Sequence, residues 1–149
     1  MSNIVFYSFR TNKVLKEFQE NGIPVFVFGS LKKDFELFSE ILKKEKPDRV
    51  LGLAAISGKS RSEAVTINRF GRIGKVSKDG KDSYVLENIG GKEFRTSKTP
   101  TTSFCNWTIY RTREFIEKNG LKSQVSFIHF NQADTKRLTT LCQALTNPI

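Results

Sequence analysis

Cysteine, histidine and long apolar runs are scarce in this sequence. Its 149 residues include two cysteines and one histidine. Two cysteines cannot form a disulfide framework, and a chain of this length buries enough surface to fold without one. No apolar run approaches the ~18 residues of a membrane span, and the first residues carry no basic leader of a secretory signal. These absences predict a single domain over residues 1–149 in a reducing compartment, the cytoplasm.

Acidic residues are the scarcer charge, with 15 Asp and Glu against 25 Lys and Arg, which gives a net charge of +10. A basic balance is compatible with a nucleic-acid-binding module. The basic residues are mixed with acids, however, as in the run 43–46, and no RNA-stacking motif accompanies the thirteen phenylalanines. Scattered charge of this kind indicates a solvated surface. We therefore expect neither nucleic acid nor a membrane as the partner and keep the nucleic-acid-binding module as an alternative.

The first third of the chain alternates between two hydrophobic patterns. Apolar runs predict strands over Asn3–Phe9, Ile23–Phe28 and Arg49–Ile56, and amphipathic segments predict helices over Asn12–Glu20 and Leu31–Lys46. The order β-α-β-α-β is typical of the α/β class. It predicts a single-domain α/β/α sandwich in which helices cover a central, twisted and largely parallel sheet.

The rest of the chain adds two helices, a strand and a glycine-rich excursion. Thr101, Thr102 or Ser103 can cap a helix that ends near Lys118 to Gly120. The later apolar segments predict a strand over 125–128 and a helix over 138–145 that carries Cys142 on its apolar face, as a core residue. Between Gly71 and Lys98, the glycines predict hairpins or an ordered excursion with short strands at 83–87 and 93–96.

Cys105 and His129 form the candidate chemistry. Cys105 falls in the first turn of the predicted helix, where the positive end of the helix dipole favours a thiolate. His129, the only histidine, follows a predicted strand. A cysteine and a distant histidine are the sequence trace of a thiol nucleophile and its general base. Lone cysteines are more often small buried hydrophobes, so the pair alone leaves a structural interpretation open.

Three motifs in the same order resemble a known family. They are Glu63-Ala-Val-Thr-Ile-Asn68, Ser97-Lys-Thr-Pro-Thr-Thr-Ser-Phe-Cys105-Asn106 and Phe127-Ile-His129. They are similar to the Glu-Arg-x-Ala-x-Asn, Ser-x-Thr-Ala-Gly-Thr-x-x-Cys-Asn and Phe-(Ile/Val)-His segments of the pyroglutamyl peptidase I family, the pyrrolidone-carboxylate peptidases.

The resemblance implies a thiol protease of the omega-peptidase type. It implies a triad in which Cys105 is the nucleophile, His129 the general base and Glu63 the residue that orients the imidazole. The activity it implies is hydrolysis that removes N-terminal pyroglutamate, or a related small acyl group, from a small peptide or amide. It further implies substrate contacts at Asn68, Arg72 and Phe9, no cofactor or metal, and a possible homo-oligomer.

Several departures from the family leave the substrate open. The chain is shorter than typical members, and the motifs lie within residues 46–72 and 97–130. The family's Gly-Phe-x-Pro-Phe-Gly loop is missing, with only Phe9 kept at 8–12, and Gly52-Leu53 replaces a Gly-Gln pair. A pocket discriminates by hydrogen bonding only while those partners remain. The alternative is a homologue that keeps the triad but binds a ligand or partner without turnover.

Overall fold

The computed structural model describes residues 3–89, 92–101 and 103–147. These residues form eight strands and four α-helices. In chain order they are β1 (Ile4–Phe9), α1 (Leu15–Glu20), β2 (Val25–Phe28), α2 (Leu31–Glu45), β3 (Arg49–Ile56), β4 (Arg61–Glu63), β5 (Val65–Ile67), β6 (Ser83–Val85), β7 (Arg95–Ser97), α3 (Phe104–Lys118), β8 (Gln124–Asn131), one 3-10 turn (Gln132–Asp134) and α4 (Thr135–Thr146).

A six-stranded sheet in the order β2-β1-β3-β8-β4-β7 forms the centre of the molecule. The pairs β1/β2, β1/β3, β3/β8 and β4/β7 are parallel, and only the pairing of β4 with β8 is antiparallel. Strands β5 and β6 form a separate antiparallel ladder. The prediction of a largely parallel central sheet is confirmed, and the carboxyl ends of β3 and β8 lie side by side.

Apolar side chains on both faces of the sheet account for the layered fold. Val50, Leu51 and Leu53 of β3 are fully buried, as expected for a parallel strand covered on both sides. One core packs the sheet against α2 and α3, and the other packs it against α1 and α4. Cys142 lies in the second core beside Leu138 and is a free thiol. The predicted α/β/α sandwich and the core position of Cys142 are therefore confirmed.

The bounds of three predicted helices differ from those observed, and the helix predicted over 138–145 is longer, as α4 (Thr135–Thr146). Helix α1 begins at Leu15 rather than at Asn12, because the Asn12 amide oxygen accepts from the Val14 N–H at 3.1 Å and holds a turn before the helix. Helix α2 ends at Glu45, one residue early, and the next residue, Lys46, adopts a left-handed φ of 44°. The predicted stop of α1 at residues 21–22 is confirmed, since Gly22 has a φ of 77°.

The segment that contains the Glu63 motif includes two strands that the sequence did not predict. Residues 61–67 form β4 and β5, two three-residue strands, and the later strands of the glycine-rich excursion pair with them. The two strands predicted at 83–87 and 93–96 are confirmed with shifted bounds, as β6 and β7. Gly90 and Gly91, two of the glycines on which this excursion was predicted, lie outside the described residues. Among the described residues, no helix combines the length and hydropathy needed to cross a membrane.

Candidate active site

The candidate site lies where β3 and β8 end and α3 begins. His129 is near the end of β8, where its Cα pairs with that of Ala54 in β3 on one side and of Arg61 in β4 on the other. Glu63 is the last residue of β4, and Cys105 lies in the first turn of α3. Ligand sites of α/β sheets gather at the carboxyl ends of the parallel strands. Cys105 and His129 therefore lie at this end of the sheet, and Glu63 reaches His129 from β4, which runs antiparallel to β8.

Glu63 and His129 form a buried hydrogen-bonded pair. The His129 Nδ1 and the Glu63 Oε1 lie 2.8 Å apart, and the two residues are 4% and 1% exposed. An ionised carboxylate only accepts hydrogen bonds, so Nδ1 carries the proton and Nε2 is left as the basic nitrogen. The ring of Phe127 packs against the imidazole with the centroids 4.8 Å apart. The pair thus holds the imidazole in one orientation and one tautomer.

Glu63 is ionised despite its burial. Burial by itself raises the pKa of a carboxyl group. Hydrogen bonds from His129 and Arg61, together with the positive charges of the imidazolium and of Arg61, outweigh that effect and hold the pKa of Glu63 below its ordinary value. The Arg61 Nε lies 2.8 Å from the same Oε1 atom. The carboxylate can therefore support the imidazole at neutral pH.

Cys105 is a buried thiol rather than a preformed thiolate. It is 4% exposed, and burial raises its pKa to about 12, although hydrogen bonds from Ser103 and from its own backbone act in the opposite direction. The expected thiolate is thus corrected: in the first turn of this helix, desolvation outweighs the helix dipole. Ser103 occupies the N-cap position, but its side chain makes no capping hydrogen bond. Thr102, another predicted cap, lies outside the described residues.

A cavity of about 220 Å³ contains both Cys105 and His129 in its wall. The cavity is bounded by two phenylalanine rings, by several small polar side chains and by the last residues of β3. Its lining residues are Phe9, Thr11, Asn12, Ala54, Ala55, Ile56, Ser103, Phe104, Cys105 and His129. Among the described residues, the lining contains no lysine, arginine, aspartate or glutamate. The cavity is therefore suited to a small, uncharged group held beside the thiol and the imidazole.

The predicted substrate contacts are only partly brought together. Phe9 lines the cavity and packs edge-on against Phe104, with ring centroids 4.8 Å apart. Asn68 does not line it, because its amide is bonded to the backbone of Ser77 and Gly80 in the excursion. Arg72 is exposed and is also absent from the lining. A role for Asn68 or Arg72 in substrate binding stays a prediction.

Asn106 ties the start of α3 to strand β5. Its side-chain oxygen accepts from the Thr66 hydroxyl at 2.6 Å and from the Ile67 N–H at 3.2 Å. Its side-chain nitrogen donates to the carbonyls of Ile67 and Arg69 at 2.8 and 2.9 Å. Each of these four hydrogen bonds joins residues about forty positions apart in the sequence, so tertiary structure fixes the residue next to Cys105. The first turn of α3 is consequently a rigid platform.

Sequence reasoning missed several residues of the site. Arg61 contacts Glu63, and Thr11, Asn12, Ser103 and Phe104 line the cavity, but none of them had been given a role there. A usable signal existed for Arg61, because residues two apart in a strand point to the same face. That signal needed β4 to be recognised as a strand.

Comparison with known proteins places the fold. No protein-family model and no curated protein sequence matches the chain. Among solved structures, pyroglutamyl peptidase I from Bacillus amyloliquefaciens has a TM-score of 0.72 at 17% identity over 98% of this chain and 96% of that one. The pyrrolidone carboxyl peptidase from Fervidobacterium islandicum has a TM-score of 0.75 at 16% identity, covering 98% and 97%. That from Thermococcus litoralis has a TM-score of 0.67 at 18% identity, covering 87% and 76%.

These likenesses establish that the chain has the α/β fold of the pyroglutamyl peptidases. The resemblance first drawn from three short motifs is confirmed at the level of the fold. It also extends to the amino-terminal strands and helices, where the sequence carries no motif of that family. At identities of 16–18%, the activity is argued from the site itself.

Proposed function

We propose that the protein is a cysteine-dependent amide hydrolase, a cysteine peptidase related to pyroglutamyl peptidase I. The observation that carries the proposal is the buried Glu63–His129 pair in contact at 2.8 Å, with His129 and Cys105 in the wall of one small cavity. A thiol, a base and an orienting carboxylate are the three parts of a nucleophilic triad, which is recognised by its geometry rather than by sequence position.

Each residue of the triad has a defined role in the proposed reaction. His129 Nε2 removes the thiol proton as the Cys105 sulfur attacks the amide carbonyl, because a thiol with a pKa of about 12 is protonated at neutral pH. The imidazolium then gives that proton to the leaving amine, and the carbon–nitrogen bond breaks to leave a thioester on Cys105. Water, deprotonated by His129, hydrolyses the thioester. Glu63 stabilises the imidazolium that forms in both steps.

The first turn of α3 supplies the donors for the developing oxyanion. The first intrahelical hydrogen bond of α3 is made by the Trp107 N–H, to the Ser103 carbonyl. The N–H groups of residues 104–106 therefore lack intrahelical acceptors. Donors held rigidly at a helix start stabilise negative charge without reorganisation. The Asn106 hydrogen bonds keep this turn in place.

The cavity supports a compact, uncharged acyl group as substrate. A volume of about 220 Å³ is small beside the ~300–1,000 Å³ of typical ligand pockets, which suits a compact group such as a five-membered lactam and its carbonyl. Phe9 and Phe104 offer apolar contact to such a ring, and Thr11 and Asn12 offer polar contact. We infer that N-terminal pyroglutamate, or a related small acyl group on a peptide or amide, is the substrate.

The remaining expectations follow from the proposed chemistry. Cys105 and Cys142 are both free thiols, and a thiol nucleophile keeps its activity in a reducing compartment such as the cytoplasm. The proposed steps use only protein side chains, backbone N–H groups and water, so the mechanism requires no cofactor. A homo-oligomer stays a prediction.

The test is hydrolysis of a fluorogenic pyroglutamyl amide by the purified protein under reducing conditions. We expect turnover by the wild type and a loss of at least about 1,000-fold in Cys105→Ser, as in other triads that lose the nucleophile. Cys142→Ser is the matched control, because it changes the other buried thiol and we expect it to keep the wild-type rate in the folded protein. Equal rates for the wild type and Cys105→Ser would contradict the proposal.

One observation favours a second candidate, a homologue that keeps the triad but binds a ligand without turnover. The Cys105 thiol is buried and its pKa lies far above neutral, which is the state of an inert structural cysteine. Alkylation by iodoacetamide at neutral pH separates the two candidates. Cys105 reacting at the rate of Cys142 supports the binding protein, and a clearly faster Cys105 supports the hydrolase.

A further inference from the structure

Arg61 contacts the carboxylate of the proposed triad: it is hydrogen-bonded to Glu63. It pairs with His129 across the antiparallel contact of β4 and β8, and it precedes Glu63 by two residues on the same strand. Residues two apart in a strand share a face, so the guanidinium and the carboxylate meet. The Arg61 side chain is 24% exposed, whereas that of Glu63 is 2% exposed.

Two donors converge on one oxygen of the Glu63 carboxylate. Arg61 Nε and His129 Nδ1 each lie 2.8 Å from Oε1. The other oxygen, Oε2, is buried and has no hydrogen-bond partner among the described residues. A buried carboxylate is costly to keep charged unless it is paired and hydrogen-bonded. Arg61 therefore supplies both the opposite charge and one of the two hydrogen bonds that the carboxylate receives from the described residues.

Removal of Arg61 leaves the Glu63 carboxylate with His129 as its one hydrogen-bond donor among the described residues. Two responses lower its cost: the carboxyl group takes up a proton, or it rotates and gives Nδ1 a different contact. Both weaken the acceptor that holds the proton on His129 Nδ1. The lowered pKa of Glu63, which depends in part on Arg61, agrees with this argument.

We propose that Arg61 is a positioning residue of the triad, which fixes the Glu63 oxygen against His129 Nδ1 and so keeps the basic Nε2 of the imidazole available to Cys105. This inference rests on the proposed function for its kinetic consequence. Its structural consequence, the tautomer of His129, is independent of any substrate.

The kinetic test compares Arg61→Met with Arg61→Lys and with Arg95→Met. Methionine keeps length without charge or donor, and lysine keeps the charge without the Nε contact. Arg95 is the matched control, because it is the exposed β7 residue that pairs with Arg61 in the parallel ladder. We expect kcat of Arg61→Met to fall by up to about 100-fold, the cost of misplacing a catalytic group, with KM within about twofold. Arg61→Lys recovers part of the loss, and Arg95→Met matches the wild type.

Nitrogen NMR of the imidazole supplies a readout that a purely structural role does not move. The chain has one histidine, so the imidazole signals need no assignment. We expect the wild type to show one tautomer, protonated at Nδ1, and folded Arg61→Met to show a mixture. The same single tautomer in both proteins, or an unchanged kcat in Arg61→Met, overturns the proposal. If Arg61→Met does not fold, Arg61→Gln is judged by the same two criteria.

The two measurements separate this inference from the proposed function. A wild type with no amidase activity but a tautomer that depends on Arg61 contradicts the hydrolase and supports the positioning role. An active wild type whose His129 tautomer and kcat do not depend on Arg61 supports the hydrolase and contradicts the positioning role.

Discussion

Asn106 offers the sharpest test of how the fold holds the candidate nucleophile. The residue is 1% exposed and its amide makes four hydrogen bonds to strand β5 and the segment that follows it. Asn106→Ala removes all four. The partly buried Ile67 N–H then lacks this acceptor, at a cost toward the lower end of the ~1–3 kcal/mol of an unsatisfied buried donor, while the carbonyl oxygens and the Thr66 hydroxyl lose less because they have other bonding options. We expect a total loss of about 3 kcal/mol.

Thermal and urea unfolding measure this loss. At roughly 2–4 °C per kcal/mol for a chain of this size, we expect Tm to fall by about 10 °C. Asn88→Ala is the matched control, since among the described residues the Asn88 amide makes one exposed hydrogen bond, to Thr96, and we expect a change within about 0.5 kcal/mol. An Asn106→Ala variant as stable as Asn88→Ala would refute the argument that this amide anchors the first turn of α3.

Two further predictions concern the core. Gly52→Ala places a Cβ within 2.6 Å of ring atoms of Tyr7 and Phe127. We therefore expect the free energy of unfolding, measured in urea, to fall by an amount at the upper end of the ~1–3 kcal/mol range of overpacking. A neutral effect would contradict the close packing of β3. Burial raises the pKa of both thiols from 9.0 to about 12, so above pH 9 the unfolded chain loses these protons while the folded chain keeps them, and stability falls. Between pH 9 and 10 we expect a shallower fall for Cys142→Val than for the wild type; equal slopes would refute the assignment.

Many strands of the sheet and the helices that cover it could be predicted, because their hydrophobic patterns lie within a few consecutive residues. Long apolar runs such as β3 and the amphipathic stripe of α2 show their type within a few residues. Strands β4 and β5 could not be read in this way. Each has three residues, and Arg61-Ser-Glu63 contains no alternation of apolar and polar residues. Strand β4 is defined by its pairing with β7 and β8, and its two ends are the charged residues Arg61 and Glu63.

The triad candidates could be predicted from the sequence, but the rest of the cavity lining and the electrostatics of the site could not. The helix start and the single histidine pointed to Cys105 and His129, and the order of the motifs added Glu63. The state of the Cys105 thiol depends on burial by residues far away in sequence, so the helix-start argument gave the wrong ionisation. The contacts of Asn68 likewise depend on the path of the excursion, which its glycines left open.

The central claim, that Cys105 is the nucleophile of an amide hydrolase, is tested most directly by trapping its thioester. The protein is mixed with a pyroglutamyl amide, quenched in acid during turnover and measured by intact mass, and a protease digest then locates the added acyl group. We expect one acyl group on Cys105 in the wild type and none in Cys105→Ser, with Cys142 unmodified in both. Turnover without an adduct on Cys105, or an adduct on Cys142 instead, would contradict the account.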